Sequence, residues 1–443
     1  MKTPASSNGL ILSSQHGISL RAHWLRGAGV GVVLQALGLV LAFGSSVFLA
    51  RMLGPSGFGQ FSYVLAIVAV LVVMATLGLP TIITRLLAAY QVDEKWELAR
   101  GLLRWANLMV GLMGLMFGLG LIGTGYVEVE GHPWLYILAA PLVLVLAWTN
   151  VRQKTLQGLH HPIAAQLPEQ FIKHSIFLAV GVALWFIGYQ IILQPEGAMA
   201  IWLFSGISSL IAGVIILHRL SPPELRRGDH GYKPAVWRAI ALPIFFAEVF
   251  GVLFGNSDTI LLGLLRSVED VGLYQVALRL SGILVVLLVA SNWVLAPWFS
   301  RFHATGETGR MQSIVTRTTR LIFGVTVLIY LVMVIWGEFF LILFFGPAFI
   351  GAYKVMLILG AGQLVNVATG PVVNLLAMTG GQRELAWSVA IVAFVNIFLC
   401  GLMIPVFGMV GAAIGVAVSN SGYNLLLAWV VKRRSGIRTT IIG

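Results

Sequence analysis

Twelve runs of mostly apolar residues, each long enough to cross a bilayer, dominate this sequence and leave little chain for anything else. They fall near 28–50, 61–88, 102–123, 133–151, 164–189, 198–219, 237–264, 271–299, 313–337, 351–378, 384–405 and 410–432. About 20 such residues in a helix cover the hydrocarbon core. Barrel strands would be roughly half as long and would alternate apolar with polar side chains; these runs do neither. Charged residues make up 10% of the chain, against about 25% in soluble domains, so its solvent is mostly lipid. The expected fold is an all-α polytopic membrane protein of twelve transmembrane helices. The 50 glycines suit close helix approach where lipid supplies no hydrophobic driving force.

The net charge of +12 would suggest nucleic acid in a soluble protein. Here the basic residues sit between the apolar runs and report topology. With the amino terminus in the cytoplasm, 23 of the 28 Lys and Arg residues fall on the cytoplasmic side, three outside (Arg51, Arg266, Lys354) and two within spans (Lys173, Arg279). Glu128, Glu130, Glu196, Glu269 and Asp270 also fall outside. That asymmetry places both termini in the cytoplasm. The first apolar run is longer than the core of a signal peptide and lacks a small-residue cleavage site, so it reads as a retained span. Cys400, the single cysteine, permits no disulfide within the chain.

The chain looks duplicated, with an offset of 213 residues. Gly59 matches Gly272 and Phe61 matches Tyr274. The same offset pairs Gln35 with Glu248, Gly38 with Gly251, Ala42 with Gly255, and Ser45 with Asp258. Six spans per copy gives both copies one orientation, related by an axis along the membrane normal. The expected organisation is a cytoplasmic segment 1–27, a six-helix bundle 28–219, a polar cytoplasmic linker 220–236, a second bundle 237–432 and a basic tail 433–443.

Charges inside spans are costly, at about 2.5–3.5 kcal/mol each on insertion scales, and usually face a partner or a wet cavity. Glu169 and Lys173 are four apart and can pair, either as a structural ion pair or at a cavity wall. Glu248 and Asp258, with Gly251 and Gly255 between them, share one face of the seventh span; the glycines read as helix packing, and Asp258 could also pair with Arg266 or Arg279. Arg279 has no evident mate on its own helix and reads as cavity-facing. Trp134, Trp237, Trp298 and Trp336 lie near span ends, as an interfacial belt does. No phosphate-binding Gly-Lys-Ser/Thr loop occurs, so the chain is not expected to hydrolyse ATP. The outer loops are too short for a membrane glycosyltransferase's acidic loop. His160 and His161 are adjacent and share no helix face, so they make no metal pair. Neither catalysis nor a cofactor is expected, and Glu248, Asp258 and Glu169 are the acids that could serve an H⁺ or Na⁺ gradient.

At Arg51-Met-Leu-Gly-Pro-Ser-Gly-Phe-Gly-Gln-Phe, Gly78-Leu-Pro and Thr84-Arg85, the sequence resembles the Wzx-type polysaccharide-biosynthesis flippases of the multidrug/oligosaccharidyl-lipid/polysaccharide exporter superfamily. Asn256-Ser-Asp-Thr-Ile-Leu-Leu-Gly with Val271-Gly-Leu-Tyr-Gln-Val-Ala, and Asn396-Ile followed by Ile404-Pro-Val-Phe-Gly-Met-Val-Gly-Ala-Ala, resemble later parts of that family. The resemblance implies two lobes in a MATE-like arrangement around a cationic cavity. Its substrate would be an undecaprenyl-pyrophosphate-linked oligosaccharide, moved from the cytoplasmic to the periplasmic leaflet of the bacterial inner membrane for O-antigen, capsule or exopolysaccharide synthesis. The polymerase and chain-length machinery are then expected partners, besides membrane lipids, and no nucleic acid. Carried onto this chain, the cavity cations would be Arg51, Arg85, Lys173 and Arg279; Arg51 also reads as a plain outer-loop residue and Arg85 as a cytoplasmic anchor. Two alternatives stand: a multidrug or cation antiporter of the same superfamily, and a polymerase or assembly partner in polysaccharide synthesis.

Overall fold

The computed structural model describes residues 8–127, 133–188 and 194–442, with side chains described from residue 34 except those of Tyr126, Val127 and Trp293. Glu128 and Glu130 lie outside the described residues, as do residues 1–7 of the amino-terminal segment. The described chain is helical, with no β-strand among these residues. Its α-helices are α1 (Asn8–Thr76), α2 (Leu79–Val92), α3 (Trp96–Val127), α4 (Pro133–Gly158), α5 (Pro162–Leu167), α6 (Lys173–Phe186), α7 (Pro195–Leu220) and α8 (Pro223–Arg226). There follow α9 (Pro234–Leu265), α10 (Val268–Ser281), α11 (Val286–Thr305), α12 (Thr308–Phe344), α13 (Tyr353–Thr369), α14 (Val372–Met378) and α15 (Gln382–Ser435). A π-helical turn, Pro168–Ile172, joins α5 to α6, and 3₁₀ turns precede α11 and α13.

Among the described residues, nine helices are long and apolar enough to cross a membrane. Two of them, Leu34–Thr76 and Gln382–Ser435, are 43 and 54 residues long, well beyond what a bilayer core needs. Each is broken by one glycine in the left-handed region, Gly54 (φ 67°) and Gly408 (φ 58°). L-residues with a side chain seldom adopt that conformation. The motif from Arg51 to Phe61, expected as a loop between spans, is therefore helical apart from Gly54. Pro55 then takes the next helix's first position, where its missing N–H costs nothing.

The apolar surface has the pattern lipid requires. Leu321, Leu328 and Ile335 of α12, spaced by seven, are all exposed, as are Trp387, Ile391, Phe394, Phe398 and Leu402 along α15. Contiguous stripes of this kind would aggregate a soluble protein; in a bilayer they are the outer wall. Trp134, Trp298 and Trp336 are exposed, consistent with the expected belt. Trp237 is not. It is fully buried, its ring tilted against that of Trp105 at 5.5 Å between centres, and it donates to the Tyr90 hydroxyl at 3.1 Å. The cause is the segment before it. The Gly231 N–H donates to the Glu97 carbonyl at 2.9 Å, and Arg100 donates to the carbonyls of Asp229 (2.8 Å) and Glu224. With residues 224–231 pinned to α3, the start of α9 is delivered into the groove between α2 and α3.

The expected repeat has a counterpart in one contact. A Cβ added at Gly59 would overlap the Val268 carbonyl and crowd the Gly272 nitrogen; one added at Gly272 would overlap the Pro55 carbonyl and crowd the Gly59 nitrogen. Under the 213-residue offset, Gly59 corresponds to Gly272 and Pro55 to Val268. The contact is thus reciprocal, as surfaces related by a two-fold axis are. It brings α1 and α10 together backbone to backbone, and only glycine permits that.

The tail beyond α15 folds back. The Gln312 side chain donates to the Arg438 carbonyl at 2.6 Å and accepts from the Arg438 N–H at 2.7 Å, and the Ile441 N–H donates to the Ala368 carbonyl at 3.0 Å.

Because backbone atoms cannot rotate away, Gly59→Ala or Gly272→Ala is expected to cost about 1–3 kcal/mol, the usual range for overpacking. Thermal unfolding of the detergent-purified protein measures it. An unchanged melting temperature in both variants would mean that α1 and α10 do not approach this closely.

Candidate functional site

A cavity of about 300 Å³ lies between the two expected halves. Helix α1 contributes Ser45, Ser46 and Ser62; α6 contributes His174 and α7 Trp202; from the second half come Asn256 of α9 and Gln275 and Arg279 of α10. Polar lining from five helices at one depth is not a packing accident, since each group would otherwise sit in hydrocarbon.

Arg279 is the central charge. It stands eleven residues into α10, about 16 Å along the axis at 1.5 Å per residue. That is close to half of the ~30 Å core. Its side chain opens onto the cavity, and it makes no hydrogen bond or ion pair with any described residue. Asp258 does not pair with it. The Tyr274 hydroxyl donates to Asp258 Oδ2 at 2.6 Å, while Oδ1 is buried with no hydrogen bond. Arg266, the other expected mate of Asp258, instead donates to the carbonyls of Ile404 (3.3 Å) and Pro405 (2.6 Å), just before the break at Gly408.

Glu169 and Lys173 are joined at 2.6 Å, Nζ to Oε1. Lys173 is buried, and its Nζ lies 4.5 Å from the centre of the Trp202 ring, a cation–π distance. Trp202 lines the cavity, so Lys173 stands one side chain behind the wall. Its neighbour His174 reaches the cavity itself, with Nδ1 3.1 Å from Ser45 Oγ.

The remaining expected residues lie apart from this cavity. Arg51 is exposed, and its Nε and Nη2 donate to the Phe344 (2.7 Å) and Leu343 (2.5 Å) carbonyls at the end of α12; a cation there complements the helix C-terminus. Arg85 is exposed on α2, one turn beyond Thr81. The Thr81 hydroxyl donates to Glu248 Oε1 at 2.6 Å, joining α2 to α9. Glu248 and Arg85 therefore flank the same seam between the halves, nearer the end that carries the linker. Gly251 and Gly255, read as helix packing, meet no neighbour: a Cβ at either would enter open space.

Several residues escaped the sequence reading. Around Asp258, Asn396 Nδ2 donates to Ser257 Oγ at 3.0 Å and the Ser419 hydroxyl donates to Asn396 Oδ1 at 2.8 Å, all of them buried. Asn396 stood only as the opening of a stretch that resembles the family, and Ser419 is uncharged and distant in the chain, so neither was marked as part of this buried cluster. Ser45 carried a faint signal as the repeat partner of Asp258. Gln275 stood within the Val271–Ala277 stretch of the resemblance without being singled out, and His174 and Trp202 carried no signal.

The comparisons with known proteins agree with this architecture. The profile of the family described as "Polysaccharide biosynthesis protein" matches residues 24–303. A protein of Haloferax volcanii described as "Probable low-salt glycan biosynthesis flippase Agl15" is 20% identical over 397 residues, which cover 87% of this chain and 79% of that one. A second from the same organism, "Probable flippase AglR", is 31% identical over 168 residues, 37% of this chain and 34% of that one. Among solved structures, an inward-facing multidrug resistance MATE family transporter of the MOP superfamily superposes with a TM-score of 0.75 at 11% identity, covering 90% of this chain and 94% of that one. The lipid II flippase MurJ, in an inward closed conformation, gives 0.68 at 13% identity over 90% and 87%. These likenesses show the fold, a MATE-like helical bundle, and the matched profile spans more than half of the chain: this multi-pass membrane protein belongs to the polysaccharide biosynthesis protein family.

Proposed function

We propose that the chain is a flippase that carries an undecaprenyl-pyrophosphate-linked oligosaccharide from the cytoplasmic to the periplasmic leaflet of a bacterial inner membrane, for surface polysaccharide synthesis. The observation that carries this reading is Arg279, an unpaired guanidinium about halfway through the membrane, opening onto a polar cavity between the halves. A guanidinium matches a phosphate group in charge and in the geometry of its N–H donors. Serine hydroxyls, Asn256 and Gln275 offer further donors to the same anion or to the first sugar. The named functions of the Haloferax relatives support the substrate class. An exporter of cationic drugs would want acids in the cavity wall. Here the titratable lining residues, among the described residues, are His174 and Arg279.

The membrane arrangement belongs to the same proposal. Splitting the two long helices at Gly54 and Gly408, and counting Pro162–Phe186 across its π turn as one span, turns nine candidate helices into twelve. Both termini then lie on the side with most of the basic residues, the cytoplasm. The halves would be the two lobes that rock about the cavity to expose it to each leaflet in turn. No step requires covalent chemistry. Coupling to an ion gradient falls to Asp258, a carboxylate buried inside a span whose Oδ1 makes no hydrogen bond and is open to H⁺ or Na⁺.

Two outcomes are expected. In cells lacking the gene, lipid-linked saccharide accumulates in the cytoplasmic leaflet; the native chain restores its transfer, Arg279→Lys does so partly and Arg279→Ala does not. Losing one charged hydrogen-bonding partner of a buried anion is worth about 2–5 kcal/mol. Accumulation in the outer leaflet would place translocation elsewhere. For coupling, Asp258→Asn is expected to abolish acceleration of transport by an imposed Na⁺ or H⁺ gradient while the cavity still binds pyrophosphate. Acceleration that survives the substitution would remove Asp258 from that role.

A further inference from the structure

Arg152, near the end of α4, looks in sequence like a basic anchor at a helix end. In the structure it is only 3% exposed. Its Nη2 reaches the Ala165 carbonyl at 3.4 Å, a weak bond, and its Nε and Nη1 make none. A buried guanidinium with two idle donors is costly, because each N–H forgoes water without gaining an acceptor.

The idle donors lie beside an anion that is engaged elsewhere. Ala165, Glu169 and Lys173 occupy successive turns of the α5–α6 segment. On the facing helix α7, Gly213 and Ser209 are likewise one turn apart. The Arg152 guanidinium lies against Gly213, where any Cβ would overlap it, and against Ala165. Glu169 lies one turn on, with Oε2 3.4 Å from the Ser209 hydroxyl and Oε1 held by Lys173. The carboxylate thus stands in a ladder between two cations, Arg152 on one side and Lys173 on the other, and is bonded to one of them. Gly213 leaves the space in which the Arg152 guanidinium sits.

We infer that Arg152 is a positioning residue, the alternate partner of Glu169. When Glu169 swings one turn toward Arg152, Lys173 is released to the anionic group in the cavity, beside His174 and Arg279. In the empty protein the Lys173–Glu169 pair keeps the cation neutralised behind Trp202. An entering anion competes with Glu169 for Lys173, and Arg152 receives the displaced carboxylate so that it is never left alone in a low-dielectric interior. This rests on the reading of the cavity as a pyrophosphate site, and it assigns that site a second, gated cation.

The test is a double-mutant cycle on the purified full-length chain, with inorganic pyrophosphate as the probe and calorimetry as the measurement. Glu169→Gln is expected to tighten binding by about 5-fold or more, and Arg152→Gln to weaken it by a similar factor, the lower end of ordinary coupling between sites. Arg152→Lys keeps most of the native affinity. In the Glu169→Gln background Arg152→Gln has no further effect, because no carboxylate remains to be shared. Equal weakening by Arg152→Gln in both backgrounds, or none in either, overturns the inference, as does a Glu169→Gln chain that binds no tighter; that variant keeps the test open should Arg152→Gln fail to fold. A native chain that binds no pyrophosphate would instead count against the proposed function. The exchange itself is then read without ligand, from labelling of Lys173 by a small amine-reactive reagent. Glu169→Gln should raise labelling and Arg152→Gln lower it in the native background only; labelling insensitive to both substitutions overturns the exchange.

Discussion

A guanidinium about halfway through a bilayer must be wet, paired or bound, since hydrocarbon offers nothing to replace the water it has lost. Arg279 is unpaired among the described residues, so the structure around it has to supply a wet, polar space. The cavity does this with serines of α1 and with His174, Trp202, Asn256 and Gln275 from four further helices. Those helices come from both halves of the chain, which makes the cavity a property of their association. The cost of the charge is thus met by the same feature that would make a substrate site: an accessible space in which an anion is better solvated by the protein than by lipid.

What holds the halves together also limits how they can move. At one end α1 and α10 meet through Gly59 and Gly272, backbone to backbone, and Arg51 ties α1 to the last carbonyls of α12. At the linker end, Glu248 accepts from Thr81, and Trp237 is buried beside Trp105 and Tyr90. The first set consists of rigid, close contacts near a local symmetry axis. The second consists of side-chain contacts between α9 and the pair α2–α3. On the proposed function, two lobes joined at both ends, with a polar space between, would exchange one seal for the other.

Much of this was legible in the residues, for reasons that differ by position. Arg279 showed itself because a charge inside an apolar run has few explanations. Glu169 and Lys173 showed their pairing through a spacing of four on a helix. Gly59 and Gly272 were matched by the 213-residue offset before their contact was seen. Other features depend on distant parts of the chain. Arg152 sits at a helix end, where a basic residue is ordinary, and only Gly213, on another helix, reveals the slot that buries it. Trp237 looked interfacial because nothing nearby in sequence shows that the linker is pinned to α3. The motif at Arg51 looked like a loop because Gly and Pro usually punctuate one, yet a single left-handed glycine completes the break. Asn396 and Ser419 are polar without charge, and their nearness to Asp258 is purely tertiary.

The central claim is that a cation in the space between the halves selects an anionic lipid headgroup for passage. Reconstitution into vesicles tests it most directly: transfer between leaflets is timed for a polyprenyl pyrophosphoryl saccharide and for a neutral glycolipid with the same chain and sugar. The account predicts rapid transfer of the pyrophosphoryl lipid, little of the neutral one, and loss of that preference in Arg279→Ala. Equal transfer of the two lipids by the native chain would contradict it.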